Sequence, residues 1–152
     1  MLLARGRLTG VSYAFAIGTD AKSVRELLSN CGLPVEDLRE SLGTFLLAKI
    51  GNQLAGVVGL QELGEVALLR SLAVKEQFRK SGIASNLCGK IETHSRDQGV
   101  RRLFLLTTGA QNFFSRRRYK RVERDKVPPE IRATLQFRKL CPDTAEVMVK
   151  EL

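Results

Sequence analysis

The chain has 152 residues, 43% of them hydrophobic and 27% charged, which excludes a disordered polar tail and suits one domain with a buried core. No apolar run approaches the about 20 residues of a membrane span, and Met1–Arg7 lacks the apolar core and cleavage pattern of a signal peptide. Lys and Arg number 25 against 16 Asp and Glu, a net charge of +9 that favours anionic partners such as a polyphosphate.

Val11–Ile17 carries Tyr13, Phe15 and Ile17 in loose alternation and reads as the first strand. Gly18-Thr19-Asp20 caps a helix whose apolar positions are Val24, Leu27 and Leu28, ending near Asn30-Cys31-Gly32. After Pro34 a short second helix is expected over Glu36–Leu42, stopped by Gly43. Thr44–Ile50 and Leu54–Gln61 flank Gly51-Asn52-Gln53 as a hairpin, and Val66–Val74 extends it to a meander. A helix follows from about Gly82 to Gln98, with Ile83, Ala84, Leu87, Cys88 and Ile91 on its apolar face and Gly99 beyond its end. Val100–Thr107 is a buried strand, Ala110–Arg117 a short helix and Tyr119–Glu123 a strand. The last part is a helix through Ile131, Leu135 and Phe137, broken at Cys141-Pro142-Asp143. A helix turn or strand over Ala145–Val149 then closes it. With no repeat and no linker, one α/β domain over 1–152 is expected.

The stretch Leu68–Ala84 carries the chemistry. A strand feeds a helix through a turn with Arg79, Lys80 and Gly82. The first amides of a helix have no intrahelical partner, the helix dipole adds partial positive charge, and glycine lets an anion approach the backbone. The turn is therefore a phosphate cradle, although many strand-to-helix turns share its features.

Arg79-x-x-Gly82-x-Ala84 matches the Arg/Gln-x-x-Gly-x-Gly/Ala motif of the GNAT N-acetyltransferases, and Leu72-Ala73-Val74 resembles that family's splayed fourth strand. Leu105–Phe114 is similar to its fifth strand and fourth helix. The tail Val127-Pro128-Pro129-Glu130-Ile131, with Thr134, Phe137, Leu140, Cys141, Pro142, Ala145 and Met148, resembles the small acetyltransferases of arsenic-resistance operons. A more distant resemblance is to the acetyltransferase domain of N-acetylglutamate synthase. The resemblance implies a mixed α/β, mainly antiparallel sheet with a splayed fourth strand and flanking helices. It also implies acetyl transfer from acetyl-CoA to a primary amine by direct attack. Residues 79–84 (Arg79, Lys80, Ser81, Gly82, Ile83, Ala84) would hold the pyrophosphate, and Leu72, Ala73 and Val74 the pantetheine arm. Asn112 and Phe113 would line the same arm, and the Val74 amide would stabilise the oxyanion.

This chain departs from the family pattern at three places. The thiolate acid is usually a Tyr, and Phe114 stands at the matching position. The glycine of the next turn is Arg118, and a left-handed non-glycine costs about 1 kcal/mol, so a rebuilt turn is expected. The usual strand glutamate is also absent, with Leu68, Leu69, Arg70 and Ser71 there instead. Tyr119 is then a candidate acid, though a strand-starting aromatic also reads as core. Glu62 and Glu65 are candidate bases, Glu65 the one taken forward, and both also read as surface carboxylates. Arg70, a charge inside an apolar strand, needs a partner: a substrate carboxylate, or a salt bridge to Glu62, Glu65 or another carboxylate. The run Arg116-Arg117-Arg118 reads as a solvated face, His94 as a surface residue and Cys141 as packing.

The three cysteines lie far apart without metal-ligand spacing, so no metal and a reduced, cytoplasmic protein are expected. The expected acceptor is a small amino-acid-like amine, with a role in arsenic resistance implied only by the tail. Neither nucleic acid nor membrane is an expected partner, and a homodimer is compatible with the fold. Two alternatives stand beside this: a peptide or protein N-acetyltransferase, and a module that binds acetyl-CoA without turnover.

Overall fold

The computed structural model describes residues 10–36, 38, 44–140 and 143–152. Among the described residues, seven strands form one sheet in the order β1-β2-β3-β4-β5-β7-β6: β1 Val11–Phe15, β2 Phe45–Ile50, β3 Gln53–Leu63, β4 Val66–Val74, β5 Arg102–Thr107, β6 Lys120–Val122 and β7 Glu146–Glu151. The helices are α1 Ala21–Asn30, α2 Ile83–Asp97, α3 Gln111–Arg116 and α4 Pro129–Arg132. Pairing is antiparallel for β1–β2, β2–β3, β5–β7 and β6–β7, and parallel for β4–β5. The helix expected over Glu36–Leu42 and the break at Cys141-Pro142 fall mainly outside the described residues. The described chain groups into two compact units, residues 1–60 with 71–91 and residues 61–70 with 92–152.

In the first unit, α1 lays Val24, Leu27 and Leu28 into a cluster with Phe45, Leu47, Leu54, Val57 and Ala73. Their 3-4 spacing puts them on one helix face, and burial of each such side chain is worth about 1.5–3 kcal/mol. Gly32, at φ 71°, ends α1, with the Leu33 N–H returning to Leu28 O at 2.9 Å. Before the helix, Asp20 accepts from the Ile17 N–H and from Lys49 Nζ, both at 2.8 Å. Two glycines of β3 are set by close packing. A Cβ on Gly59 would meet Phe45 Cζ at 2.8 Å, and one on Gly56 would meet Ile83 Cγ2 at 3.0 Å.

In the second unit, β5 pairs with β7 from Arg102–Glu151 to Thr107–Glu146, and β6 pairs with the other edge of β7. The segment expected as a helix turn or strand is therefore a central strand of this unit. A second cluster gathers Val66, Leu68, Phe104, Val127, Ile131 and Val147. The helix expected to run through Phe137 is shorter. The Thr134 hydroxyl donates to Ile131 O at 2.7 Å and accepts from the Phe137 N–H at 3.2 Å, and the chain continues as a wide helical turn over Gln136–Leu140. Among the described residues the β4–β5 ladder holds three pairs, Val66–Arg102 to Leu68–Phe104, and β4 runs on to Val74. Ser71, at φ 57°, interrupts the regular pleat of β4.

Candidate functional site

The end of β4 and the turn into α2 lie within the first unit. After Val74 the chain makes a single 3-10 turn over Glu76–Phe78, then passes through two left-handed residues, Lys80 at φ 62° and Gly82 at φ 87°. A lysine in that conformation costs about 1–2 kcal/mol, strain of the kind found where a loop serves a ligand. The Ser81 hydroxyl donates to Phe78 O and closes the turn. Asn86 N–H bonds Gly82 O at 3.0 Å, which leaves the earlier amides of α2 directed out of the helix end. Lys80 and Gly82 are exposed, while Ser81 and Ala84 are half-buried and Ile83 is part of the core. Exposed positive charge, outward amides and a glycine thus meet at one helix start, an arrangement that fits a pyrophosphate.

Arg79 points elsewhere. Its Nε donates to Val74 O at 3.0 Å, and its Nη2 lies 3.8 Å from Cys31 Sγ. The side chain thus folds back onto β4, where Ala73 and Val74 are buried and Leu72 is half-buried.

The remaining candidates belong to the second unit. Arg70 is buried within β4 at 4% exposure. Arg70 is itself engaged within the protein; Glu62 Oε1 lies 3.2 Å from His94 Nε2, and Glu65 Oε1 lies 4.0 Å from Arg101 Nε. His94, expected as a plain surface residue, is therefore half-buried and paired. Glu65, the expected base, is largely exposed in the turn that precedes β4, the opposite end of that strand from Val74. Asn112 is exposed on α3, and Phe113 stands edge-on to Phe114 at 5.0 Å. Phe114 is buried and meets Tyr119 edge-on at 5.3 Å. The turn between them is not rebuilt, for Arg118 takes the left-handed conformation at φ 74°.

Tyr119, the candidate acid, is 2% exposed and its hydroxyl donates to Glu92 Oε2 at 2.9 Å. The same carboxylate receives Arg117 Nη2 and Lys150 Nζ, each at 3.0 Å from Oε1. Sequence reasoning passed over Glu92. Its signal was position: it follows Cys88 by four residues and precedes Ser95 by three, on the buried face of α2. Among the described residues no group of His, Cys, Asp and Glu could hold a metal ion, and no helix is long and apolar enough to cross a membrane.

Residues 17–123 match the profile of the Acetyltransferase (GNAT) family. An uncharacterized N-acetyltransferase of Chlorobaculum tepidum is 35% identical over 98 residues, covering 64% of this chain and 63% of that protein. The amino-acid acetyltransferase of Serratia proteamaculans is 30% identical over 79 residues, covering 52% of this chain and 17% of that protein. The match thus spans less than two thirds of either relative. The crystal structure of N-acetylglutamate synthase from Neisseria gonorrhoeae, complexed with coenzyme A and N-acetyl-glutamate, superposes with a TM-score of 0.82 at 22% identity. That match covers 96% of this chain and 36% of that one, and at this identity it shows a common fold.

Proposed function

Because the chain belongs to the acetyltransferase (GNAT) family, we propose that it transfers the acetyl group of acetyl-CoA to the primary amine of a small amino-acid-like acceptor. The observation that carries this reading is the turn into α2, where Lys80 and Gly82 stand exposed and left-handed beside outward-facing amides. Acetyl-CoA would supply the activated acyl group and an anionic pyrophosphate to dock there. Lys80 gives the turn a full positive charge, and the amides that follow Gly82 give it hydrogen-bond donors. The Val74 amide is the donor for negative charge that builds on the acyl oxygen, a task worth a factor of about 100–1000 in rate where single donors have been removed. The attacking nitrogen forms its bond to the acyl carbon as the carbon–sulfur bond breaks. It loses its proton to a base or to water.

The amino-acid-like acceptor is favoured by the Serratia relative, named for acetylating amino acids, and by the bound N-acetyl-glutamate of the Neisseria structure. Arg70 is the proposed partner of the acceptor's carboxylate. A role in arsenic resistance is proposed on the tail motif alone, and a cytoplasmic location on the spacing of the cysteines. The competing reading, an acetyl-CoA-binding module without turnover, draws on Phe114, a buried side chain at the position where the family resemblance implies a proton-donating Tyr.

Release of CoA thiol from acetyl-CoA, measured across amino acids, their phosphinic and arsonic analogues and lysine peptides, tests these readings together. Turnover with one small amine, lost in Gly82→Asp, is the expected result. Turnover on peptides alone would overturn the small-molecule acceptor. Gly82-dependent CoA binding without turnover would favour the module.

A further inference from the structure

Two peptide planes at the end of β4 are held from outside the strand. In the plane joining Val74 to Lys75, the Lys75 N–H donates to Ala55 O at 2.8 Å, and Val74 O accepts from Arg79 Nε at 3.0 Å. In the preceding plane, which carries the Val74 N–H, Ala73 O lies 3.2 Å from the place a Cβ would occupy on Gly56. Ile83 Cγ2 and Leu87 Cδ1 would lie 3.0 Å and 3.2 Å from the same point, so a side chain at position 56 would press on the plane that carries the Val74 N–H. The second contact of Arg79, from Nη2 to Cys31 Sγ at 3.8 Å, fixes the rotation of the guanidinium. A planar group with five donors in a rigid fork holds an acceptor in a way a flexible ammonium does not.

We infer that Arg79 is a positioning residue for the Val74 amide, acting through the Val74 carbonyl, and that it does not serve the phosphate as a charge. The inference rests on the reading that the Val74 amide meets the acyl oxygen. Without Arg79 the plane after Val74 keeps one of its two holds, and rotation about the Val74 backbone is less restrained. A donor for developing charge acts only if it is aimed beforehand, and hydrogen bonds weaken steeply once misaligned. The positive charge of the turn then falls to Lys80.

The test separates aim from charge. Arg79→Met removes both donor and charge, and Arg79→Gln restores a donor without charge. CoA affinity is measured by calorimetry, and the carbonyl band of bound, carbonyl-labelled acetyl-CoA by infrared difference spectroscopy. In the wild type the bound band is expected to shift to lower wavenumber. Arg79→Met is expected to lose that shift while CoA affinity stays within about threefold, and Arg79→Gln to recover it. Turnover, where an acceptor is found, falls on the order of 10- to 100-fold in Arg79→Met, with little change in KM for acetyl-CoA. Equal weakening of CoA in both variants by about tenfold or more, with the carbonyl shift intact at saturation, would overturn the inference. If Arg79→Met does not fold, Arg79→Gln decides alone: shift and affinity kept support the inference, and affinity lost with the shift kept overturns it. Failure of the wild type to bind CoA would instead remove the proposed function, and the inference with it.

Discussion

The Tyr119 hydroxyl donates to Glu92 Oε2 at 2.9 Å, inside a site where Arg117 and Lys150 each lie 3.0 Å from Oε1 of the same carboxylate. One buried acid thus ties α2 to the turn before β6 and to β7.

Removing the acid leaves two cations in a half-buried site. Glu92→Ala is expected to cost about 3–5 kcal/mol, as for other buried ion pairs that lose one partner. Tyr119→Phe removes one hydrogen bond to a charged group and should cost about 1.5–3 kcal/mol. Urea denaturation measures both, and a Glu92→Ala loss no larger than that of Tyr119→Phe would contradict the hub. The same Tyr119→Phe variant, assayed well below its melting temperature, tests Tyr119 as the thiolate acid. A steady kcat is expected if the phenol serves Glu92 alone.

Three glycines, Gly59 and Gly56 of β3 and Gly109 after β5, make a graded series. Gly59→Ala would drive a methyl to 2.8 Å from the ring of the fully buried Phe45, and overpacking of this kind costs about 1–3 kcal/mol. Gly109→Ala meets nothing within 4 Å and should be near neutral. Gly56→Ala presses on Ala73 O and so should lower turnover more than it lowers CoA affinity. Thermal melts and kinetics on the three variants check the order.

Arg118 holds a left-handed backbone on an exposed turn. Arg118→Gly relieves about 1 kcal/mol of strain, less the entropy glycine adds to the unfolded chain. The expected outcome is a melting temperature unchanged or raised by about 2–4 °C. A fall would show that the arginine side chain matters more to the turn than its backbone conformation does.

The backbone hydrogen bond from Ile17 and then Lys49 hold the Asp20 carboxyl below its ordinary value. A carboxylate depressed in the folded state stabilises above its unfolded pKa of about 3.9, and that contribution is lost as pH falls through the lower folded value. Asp20→Asn should therefore be less stable than wild type at neutral pH and lose its disadvantage in acid. A gap independent of pH would show that charge at Asp20 plays no part.

Local patterns gave β4 its limits of Val66 and Val74 and placed α2 within a residue at each end, because apolar period and the flanking glycines act along the chain. The turn of Lys80 and Gly82 was legible for the same reason. Partner choice was not. The sequence shows Arg79 beside the turn, but only the fold brings its guanidinium to Val74 O and Cys31. Nor does periodicity reveal that Glu92, one acid on an apolar face, collects three donors that lie 25 to 58 residues away. The tail failed at Thr134, whose hydroxyl competes with the helix ladder.

The place of β7 bears on how the protein is made. It follows β6 in the chain yet stands between β5 and β6 in the sheet. While the ribosome is still short of residue 146, β6 has no strand to pair with, and β5 has one edge bare. The second unit therefore cannot complete its sheet until residues 146–151 have emerged. Such late, distant pairing is slow to form and leaves strand edges open to misassembly in the interval. Lys120 and Arg121, both exposed on β6, put charge on the strand that waits. Nascent-chain stalling before and after this strand should find protease resistance in the second unit arriving in one late step.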